Sequence, residues 1–248
     1  PSVVKAAEAG DIVAADELGD MYLYGFGVEK SGKQAVFWLE KGAEKGYWRS
    51  LNALGDMYRL GEEVEEDGKK ALSLYRKAEE MHSREALTSI GFMYYAGQGV
   101  DFDEGKAFSY FRKAAGAGDL DALFMMGRCY MEGGAVEKDD RKAADCFKET
   151  ADRGYPMGMW ALGQSYLHGI GVERDEKKAV ALYQKAAGMN LAAAYSALAQ
   201  CYRYGAGVSE DKAAAVEMYK RAFALGQGLA ADEIGTMYLV GNEILPNV

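Results

Sequence analysis

Apolar and small side chains return along this chain on a fixed period of 36 residues. The plainest mark is the tyrosine closing the segments ELGDMY, ALGDMY, SIGFMY, MMGRCY, ALGQSY, ALAQCY and EIGTMY, at Tyr22, Tyr58, Tyr94, Tyr130, Tyr166, Tyr202 and Tyr238. Three residues earlier stands Gly19, Gly55, Gly91, Gly127, Gly163, Ala199 or Gly235. With this residue as position zero, small side chains fill −5 (Ala14, Ser50, Ala86, Ala122, Gly158, Ala194, Ala230). Larger apolar ones fill −1 (Leu18, Leu54, Ile90, Met126, Leu162, Leu198, Ile234). At about 100° per residue these positions and the tyrosine at +3 share one arc, which predicts the buried stripe of a helix, here helix A. A glycine inside a helix costs roughly 1 kcal/mol against alanine. Its return in copy after copy predicts a close approach, read from sequence as a neighbouring backbone where a side chain would not fit.

A second helix follows in each period. Gly25, Gly61, Gly97, Gly133, Gly169, Gly205 and Gly241 stand where helix A needs a left-handed C-terminal residue. A loop with Val28, Val64, Val100, Val136, Val172, Val208 or Ile244 comes next. Ser31, Asp67, Asp103, Asp139, Asp175 and Asp211 are then placed to cap helix B, each side-chain oxygen accepting an orphan backbone N–H. Helix B carries Ala35, Ala71, Ala107, Ala143, Ala179 and Ala215, and one turn on Leu39, Tyr75, Phe111, Phe147, Tyr183 and Tyr219. It closes near Gly46, His82, Gly118, Gly154, Asn190 and Gly226. A two-helix unit cannot bury such a stripe alone, so the expected fold is an all-α solenoid of about seven stacked 36-residue helix-turn-helix repeats. The phase predicts one array over residues 1–248: the tail of a preceding helix B (1–11), repeats at 12–47, 48–83, 84–119, 120–155, 156–191 and 192–227, and a half repeat at 228–248.

Composition narrows the function. The net charge is −9, from 38 acidic and 29 basic residues, which argues against a nucleic-acid backbone or an anionic membrane surface as partner. No apolar run approaches the roughly 20 residues that span a bilayer, so no membrane insertion is expected. Cys129, Cys146 and Cys201 are odd in number and far apart, so neither a disulfide framework nor a zinc site is expected. The chain starts at Pro1, so the lack of a leader carries no information.

The pattern A-x-x-x-L-G-x-x-Y-x-x-G-x-G-V, then D-x-x-K-A, then K-A-A-x-x-G, resembles the Sel1-like repeat family of the tetratricopeptide superfamily; residues 86–100 and 178–187 are close matches. The resemblance covers essentially the whole chain. It implies a right-handed α-α superhelix presenting a concave groove, and a scaffold or adaptor role. Loops GEEV (Gly61–Val64) and GGAV (Gly133–Val136) depart from the pattern by lacking the second glycine. A cysteine-rich bacterial subfamily pairs two cysteines per repeat and is linked to β-lactam binding and hydrolysis. That pairing is absent here, which disfavours the enzyme reading; a structural spacer within a larger protein is the other alternative.

Candidate chemistry is sparse. The GxGV loops lack GxGxxG and follow helices, so they are not phosphate loops. The acidic run Glu62 to Asp67 lacks the alternating ligands and turn glycine of a calcium loop. His82 and His168 have no nucleophile or carboxylate motif beside them, so no catalytic residue, cofactor or metal is expected. The informative feature is the face of helix A opposite the stripe, at −6, −3, +1, +4 and +5. Repeats one and two carry Asp16, Asp20, Asn52, Asp56 and Arg59 there; repeats six and seven carry Ser196, Gln200, Arg203, Asp232 and Thr236. The central repeats carry Phe92, Tyr95, Phe124, Arg128, Met131, Trp160, Gln164, Leu167 and His168. The framework is nearly constant between copies while this face varies. The expectation is a non-catalytic protein–protein interaction module, with the central residues forming a groove for a protein or peptide.

Overall fold

A computed structural model describes residues 2–240, and every regular element among them is an α-helix. The order is α1 (Ser2–Glu8), α2 (Ile12–Tyr24), α3 (Gly32–Glu44), α4 (Trp48–Leu60), α5 (Gly68–Glu80), α6 (Arg84–Ala96), α7 (Glu104–Gly116), α8 (Leu120–Glu132), α9 (Asp140–Asp152), α10 (Pro156–His168), α11 (Glu176–Gly188), α12 (Ala192–Tyr204), α13 (Lys212–Ala224) and α14 (Leu229–Val240). Even-numbered helices are the A helices of the 36-residue period; odd-numbered ones are the B helices. Pro1, Gly241 and Ile244 lie outside the described residues, as does the end of the half repeat at 228–248.

Local chemistry starts and stops these helices as the pattern predicts. Gly25, Gly61, Gly97, Gly169 and Gly205 take the left-handed conformation after their A helices. The caps of helix B are equally regular: Asp67, Asp103, Asp139 and Asp175 accept the amides of Lys70, Lys106, Lys142 and Lys178 at 2.8–3.0 Å. The amide bonds hold the carboxyls of Asp103, Asp139 and Asp175 below the ordinary aspartate range, because they favour the charged form. His82 and Asn190 adopt positive φ where other copies end helix B with glycine.

The helices divide into two compact units, split in sequence between Ala122 and Leu123. In the first, α2 packs on α3, α3 on α4, α4 on α5, α5 on α6 and α6 on α7. In the second, α9 packs on α10, and the succession continues to α14. Within the units, α3, α5, α11 and α13 thus each cover both their own A helix and the next one, the nearest-neighbour stacking of a solenoid.

The glycine row has a different cause from the one read in the sequence. The atoms closest to a Cβ at these positions belong to side chains, not to backbone. The side chain twenty residues on, from helix B of the same repeat, lies directly on it. A Cβ at Gly19 would sit 2.6 Å from Leu39, at Gly91 2.6 Å from Phe111, at Gly127 2.6 Å from Phe147 and at Gly163 2.5 Å from Tyr183; at Gly55 it would overlap the Tyr75 ring. Leu39, Tyr75, Phe111, Phe147, Tyr183 and Tyr219 are the central buried side chains of their repeats. In repeats one to five the missing Cβ therefore makes room for a fully buried apolar side chain, worth roughly 1.5–3 kcal/mol against a helix-propensity cost of about 1 kcal/mol.

The tyrosine row also needs correction. Tyr94 is buried, but Tyr22, Tyr58, Tyr130, Tyr166 and Tyr202 are half-buried and Tyr238 is exposed, so +3 is the margin of the stripe. Its carbonyl is the constant part. Tyr22, Tyr58, Tyr94, Tyr130, Tyr166 and Tyr202 each accept the amide of the residue capping helix B, at 2.8–3.0 Å, and so close the A–B loop. The lysine three residues after the cap then lies over the ring, with Lys70 Nζ 3.9 Å from the Tyr58 centroid and Lys178 Nζ 5.3 Å from that of Tyr166. The D-x-x-K motif thus couples a cap to a cation–π contact.

The irregular loop of repeat two is compensated locally. Glu63 replaces the second loop glycine and takes φ 61°, an uncommon region for a residue with a Cβ. It packs where any side chain at position 32 would collide, and that residue is Gly32. Lys30 pairs with its carboxylate at 2.9 Å.

The ring contact predicts opposite effects of one substitution at two copies. Gly163→Ala drives a Cβ into the Tyr183 ring and should lose about 1–3 kcal/mol. Among the described residues nothing lies within 4 Å of such a Cβ at Gly235, so Gly235→Ala should be neutral or gain up to about 1 kcal/mol. Chemical denaturation of both variants checks this; equal losses would rule out the ring as the cause.

Candidate functional site

Successive A helices of the first unit leave their outer face open, and an open cleft of about 780 Å³ lies along it. Helix α2 contributes Asp16, Asp20, Leu23 and Tyr24; α4 contributes Trp48, Arg49, Asn52, Ala53, Asp56, Met57, Arg59 and Leu60; Glu62 and Glu85 complete the lining. Five of these, Asp16, Asp20, Asn52, Asp56 and Arg59, are the polar residues that sequence periodicity turned away from the stripe in repeats one and two. The apolar floor comes from Leu23, Ala53 and Met57, with Tyr24 and Trp48 supplying aromatic edges.

Two polar networks organise the cleft. Asp16 is only 5% exposed; its Oδ1 accepts the Ser50 hydroxyl at 2.7 Å, and Arg49 Nε lies 3.9 Å from Oδ2. Ser50 stands in the −5 slot, where most copies have alanine, so one hydroxyl in the buried stripe supports the buried carboxylate of the preceding repeat. In the second network the Tyr75 hydroxyl donates to Asp56 Oδ1 at 2.7 Å and accepts from Arg59 Nε at 3.3 Å. Asn52 Nδ2 donates to Ser83 Oγ at 2.8 Å, while its Oδ1 is buried with no donor.

The charges are unbalanced. Asp16 and Asp20 are one helical turn apart on α2, a spacing at which like charges repel. Burial raises the Asp16 carboxyl above the ordinary aspartate range, against the Ser50 hydrogen bond and the Arg49 charge. Burial, with the Asp16 charge added, raises Asp20 likewise. Burial also pushes the Tyr75 phenol up, so its proton stays on oxygen and is donated to Asp56.

The residues read from sequence as a central groove fall in both units. In the first, Phe92 and Tyr95 are half-buried with rings against Phe111, at centroid distances of 5.3 and 6.4 Å. In the second, Phe124 is 7% exposed and packed between Phe147 (5.6 Å) and Tyr155 (6.0 Å). Arg128 and Met131 are half-buried, and Arg128 is paired with Glu132 one turn on at 2.6 Å. Trp160 and Leu167 are half-buried against the core around Tyr183 and Leu198, Gln164 is half-buried, and His168 is exposed at the end of α10. The acidic cleft of the first unit drew less weight in sequence because its residues are small and polar. Its signal was Ser50 in an alanine slot, paired with Asp16 at −3 of the preceding copy.

Cys129, Cys146 and Cys201 are free and buried. Burial pushes the thiols of Cys146 and Cys201 up to about 11, so neither is a ready thiolate. Among the described residues no group of three or more His, Cys, Asp or Glu side chains could hold a metal ion. No described helix is long and apolar enough to cross a membrane.

Comparison with known proteins agrees with the geometry. The family model of the Sel1 repeat matches six consecutive segments, 12–47, 48–83, 84–119, 120–155, 156–191 and 192–227. The crystal structure of c5321, a protective antigen present in uropathogenic Escherichia coli strains displaying an SLR fold, is similar at a TM-score of 0.74 and 29% identity. That match covers 97% of this chain but 52% of the antigen, so the chain spans about half its length. A Sel1 repeat protein from Oxalobacter formigenes matches at 0.79 and 24% identity, over 89% of this chain and 95% of that one. Immunity protein Pa5087 from Pseudomonas aeruginosa matches at 0.59 and 23%, over 97% and 88%. The two last likenesses are of fold alone. No curated protein sequence matches the chain.

The strained carboxylates yield a pH-dependent expectation. A carboxyl whose folded-state pKa is raised costs no stability below its unfolded pKa, a growing amount between the two values, and the full amount above the folded one. Asp20→Asn should therefore raise the melting temperature at pH 7, and the gain should fade as pH drops through the carboxylate range. Thermal unfolding from pH 7 to pH 4 measures it; a loss of stability at pH 7 would contradict a cost from burial and from the Asp16 charge.

Proposed function

The chain belongs to the Sel1 repeat family, and on that premise we propose that it is a non-catalytic scaffold binding a peptide or partner segment along the outer faces of its A helices. Repeats of this family generally mediate protein interactions. One observation carries the reading for this chain. Between copies the Gly row, the caps and the central B-helix side chains are nearly constant, whereas the A-helix face changes from Asp20 and Asp56 to Phe92, Trp160 and Gln164. Folding requires the first set in every repeat. The second set is not needed for A–B pairing, so its variation is free to specify contacts.

The proposed contact residues are those with surface left to offer: Phe92 and Tyr95 in the first unit, and Arg128, Met131, Trp160, Gln164, Leu167 and His168 in the second. Phe124 supports them from beneath, through its contacts with Phe147 and Tyr155. Aromatic and arginine side chains of this kind dominate interface energetics, and losing one anchor commonly costs about 2 kcal/mol or more. The buried, high-pKa thiols count against β-lactam chemistry, and nitrocefin should show no turnover above buffer.

Trp160→Ala and Leu162→Ala separate binding from folding. Leu162 is buried in the stripe, and its truncation should cost roughly 2–5 kcal/mol of stability. Trp160 is half-buried and should cost less, while weakening retention of a co-purifying partner at least tenfold. Pull-downs with both variants, followed by calorimetry on the partner recovered, make the comparison. A Trp160→Ala protein that unfolds as readily as Leu162→Ala would assign that side chain to the core.

A further inference from the structure

The cleft on α2 and α4 has a chemistry distinct from the aromatic face of the central repeats. We propose that it takes an arginine side chain presented by a positively charged partner segment. The inference rests on the A-helix face being the binding face, and it names the partner's chemistry for the first unit.

Charge supplies the first argument. Residues 1–122 hold 22 acidic and 15 basic residues, against 16 and 14 in the rest, so most of the net charge of −9 belongs to the first unit. Within the cleft five carboxylates, Asp16, Asp20, Asp56, Glu62 and Glu85, face two guanidinium groups, Arg49 and Arg59. Arg59 is engaged by Tyr75 and Asp56. Arg49 is more than half exposed and reaches Asp16 only at 3.9 Å, which leaves Asp16 and Asp20 short of positive charge. The cleft walls also exclude part of the solvent that would otherwise screen these charges, so a cation entering it gains more than on an open surface.

The shape and acceptor set favour arginine over lysine. The two carboxylates on α2 and the one on α4 offer several acceptor oxygens to a planar fork of five N–H donors. Tyr24, 59% exposed, and Trp48 bring aromatic edges to the same cleft, and a guanidinium stacks on such rings while an ammonium stays hydrated. Leu23, Ala53 and Met57 meet the aliphatic stem.

The test is an NMR titration of the intact chain with a short glycine–serine peptide carrying two arginines, and with its citrulline and lysine counterparts. Citrulline keeps the shape and removes the charge. At about 0.15 M salt, where exposed charges are screened beyond roughly 8 Å, the arginine peptide should shift the Trp48 indole resonance. It should bind at least tenfold tighter than the citrulline peptide and more tightly than the lysine one. The double variant Asp20→Asn, Glu62→Gln should weaken it at least fivefold. The double variant Glu65→Gln, Glu66→Gln removes the same charge from the adjoining loop outside the cleft and should change binding less than twofold. Equal weakening by both double variants would mean diffuse attraction to an acidic surface and would overturn the proposal. So would citrulline binding as tightly as arginine, or shifts that avoid Trp48. Thermal unfolding checks that each variant is folded. None of these outcomes touches the Trp160 comparison, which lies in the second unit and is read on a recovered partner.

Discussion

The contact on which repeats one to five depend is a large side chain of helix B lying on a residue of helix A that has no Cβ. Gly163 under Tyr183, Gly127 under Phe147 and Gly91 under Phe111 are three instances, and Gly19 under Leu39 shows that an aliphatic side chain serves as well. It sets how closely the two helices approach, and so where the rest of each repeat sits. The cap of helix B then returns to the tyrosine carbonyl of helix A at 2.8–3.0 Å, fixing the loop. With pairing settled by one contact and the loop by one hydrogen bond, the outer face of helix A carries no structural duty common to all copies.

That freedom explains how one framework supports two chemistries. In repeat two the aromatic over the glycine is Tyr75, and its hydroxyl reaches Asp56 on the outer face, where Arg59 joins it. In repeats three and four the same slot is Phe111 and Phe147, and the outer positions over them are the aromatic Phe92, Tyr95 and Phe124. In repeat five it is Tyr183, whose buried hydroxyl has no partner; the outer positions there are Gln164 and Leu167. The identity of the central ring thus conditions what the face above it can hold: a phenol can anchor a carboxylate, while phenylalanine supports further apolar contact.

Charge follows the same division. The buried carboxylate of Asp16 is tolerated in the first unit because Ser50 and Arg49 compensate it in part, and Asp20 beside it is half-buried. The remaining imbalance, with both carboxyls raised above the ordinary range by burial, costs the first unit stability.

Periodicity alone determined the helices, their caps and their pairing. Asp139 and Asp175 as caps, Gly25 and Gly97 as left-handed terminators, and His82 and Asn190 in place of glycine are local matters of backbone conformation and one hydrogen bond, which residue type decides. It also separated the A-helix face from the stripe, because angle around a helix follows from spacing. It could not distinguish a backbone from a side chain as the cause of the glycine row, since both leave the same vacancy in sequence. Nor could it rank the faces: large aromatics drew attention to Phe124, whereas its neighbours Phe147 and Tyr155 cover most of it. Whether Asp16 is a solvated charge or a buried acceptor depends on a hydroxyl 34 residues away, and burial is a property of the neighbours that three-dimensional packing brings to a side chain.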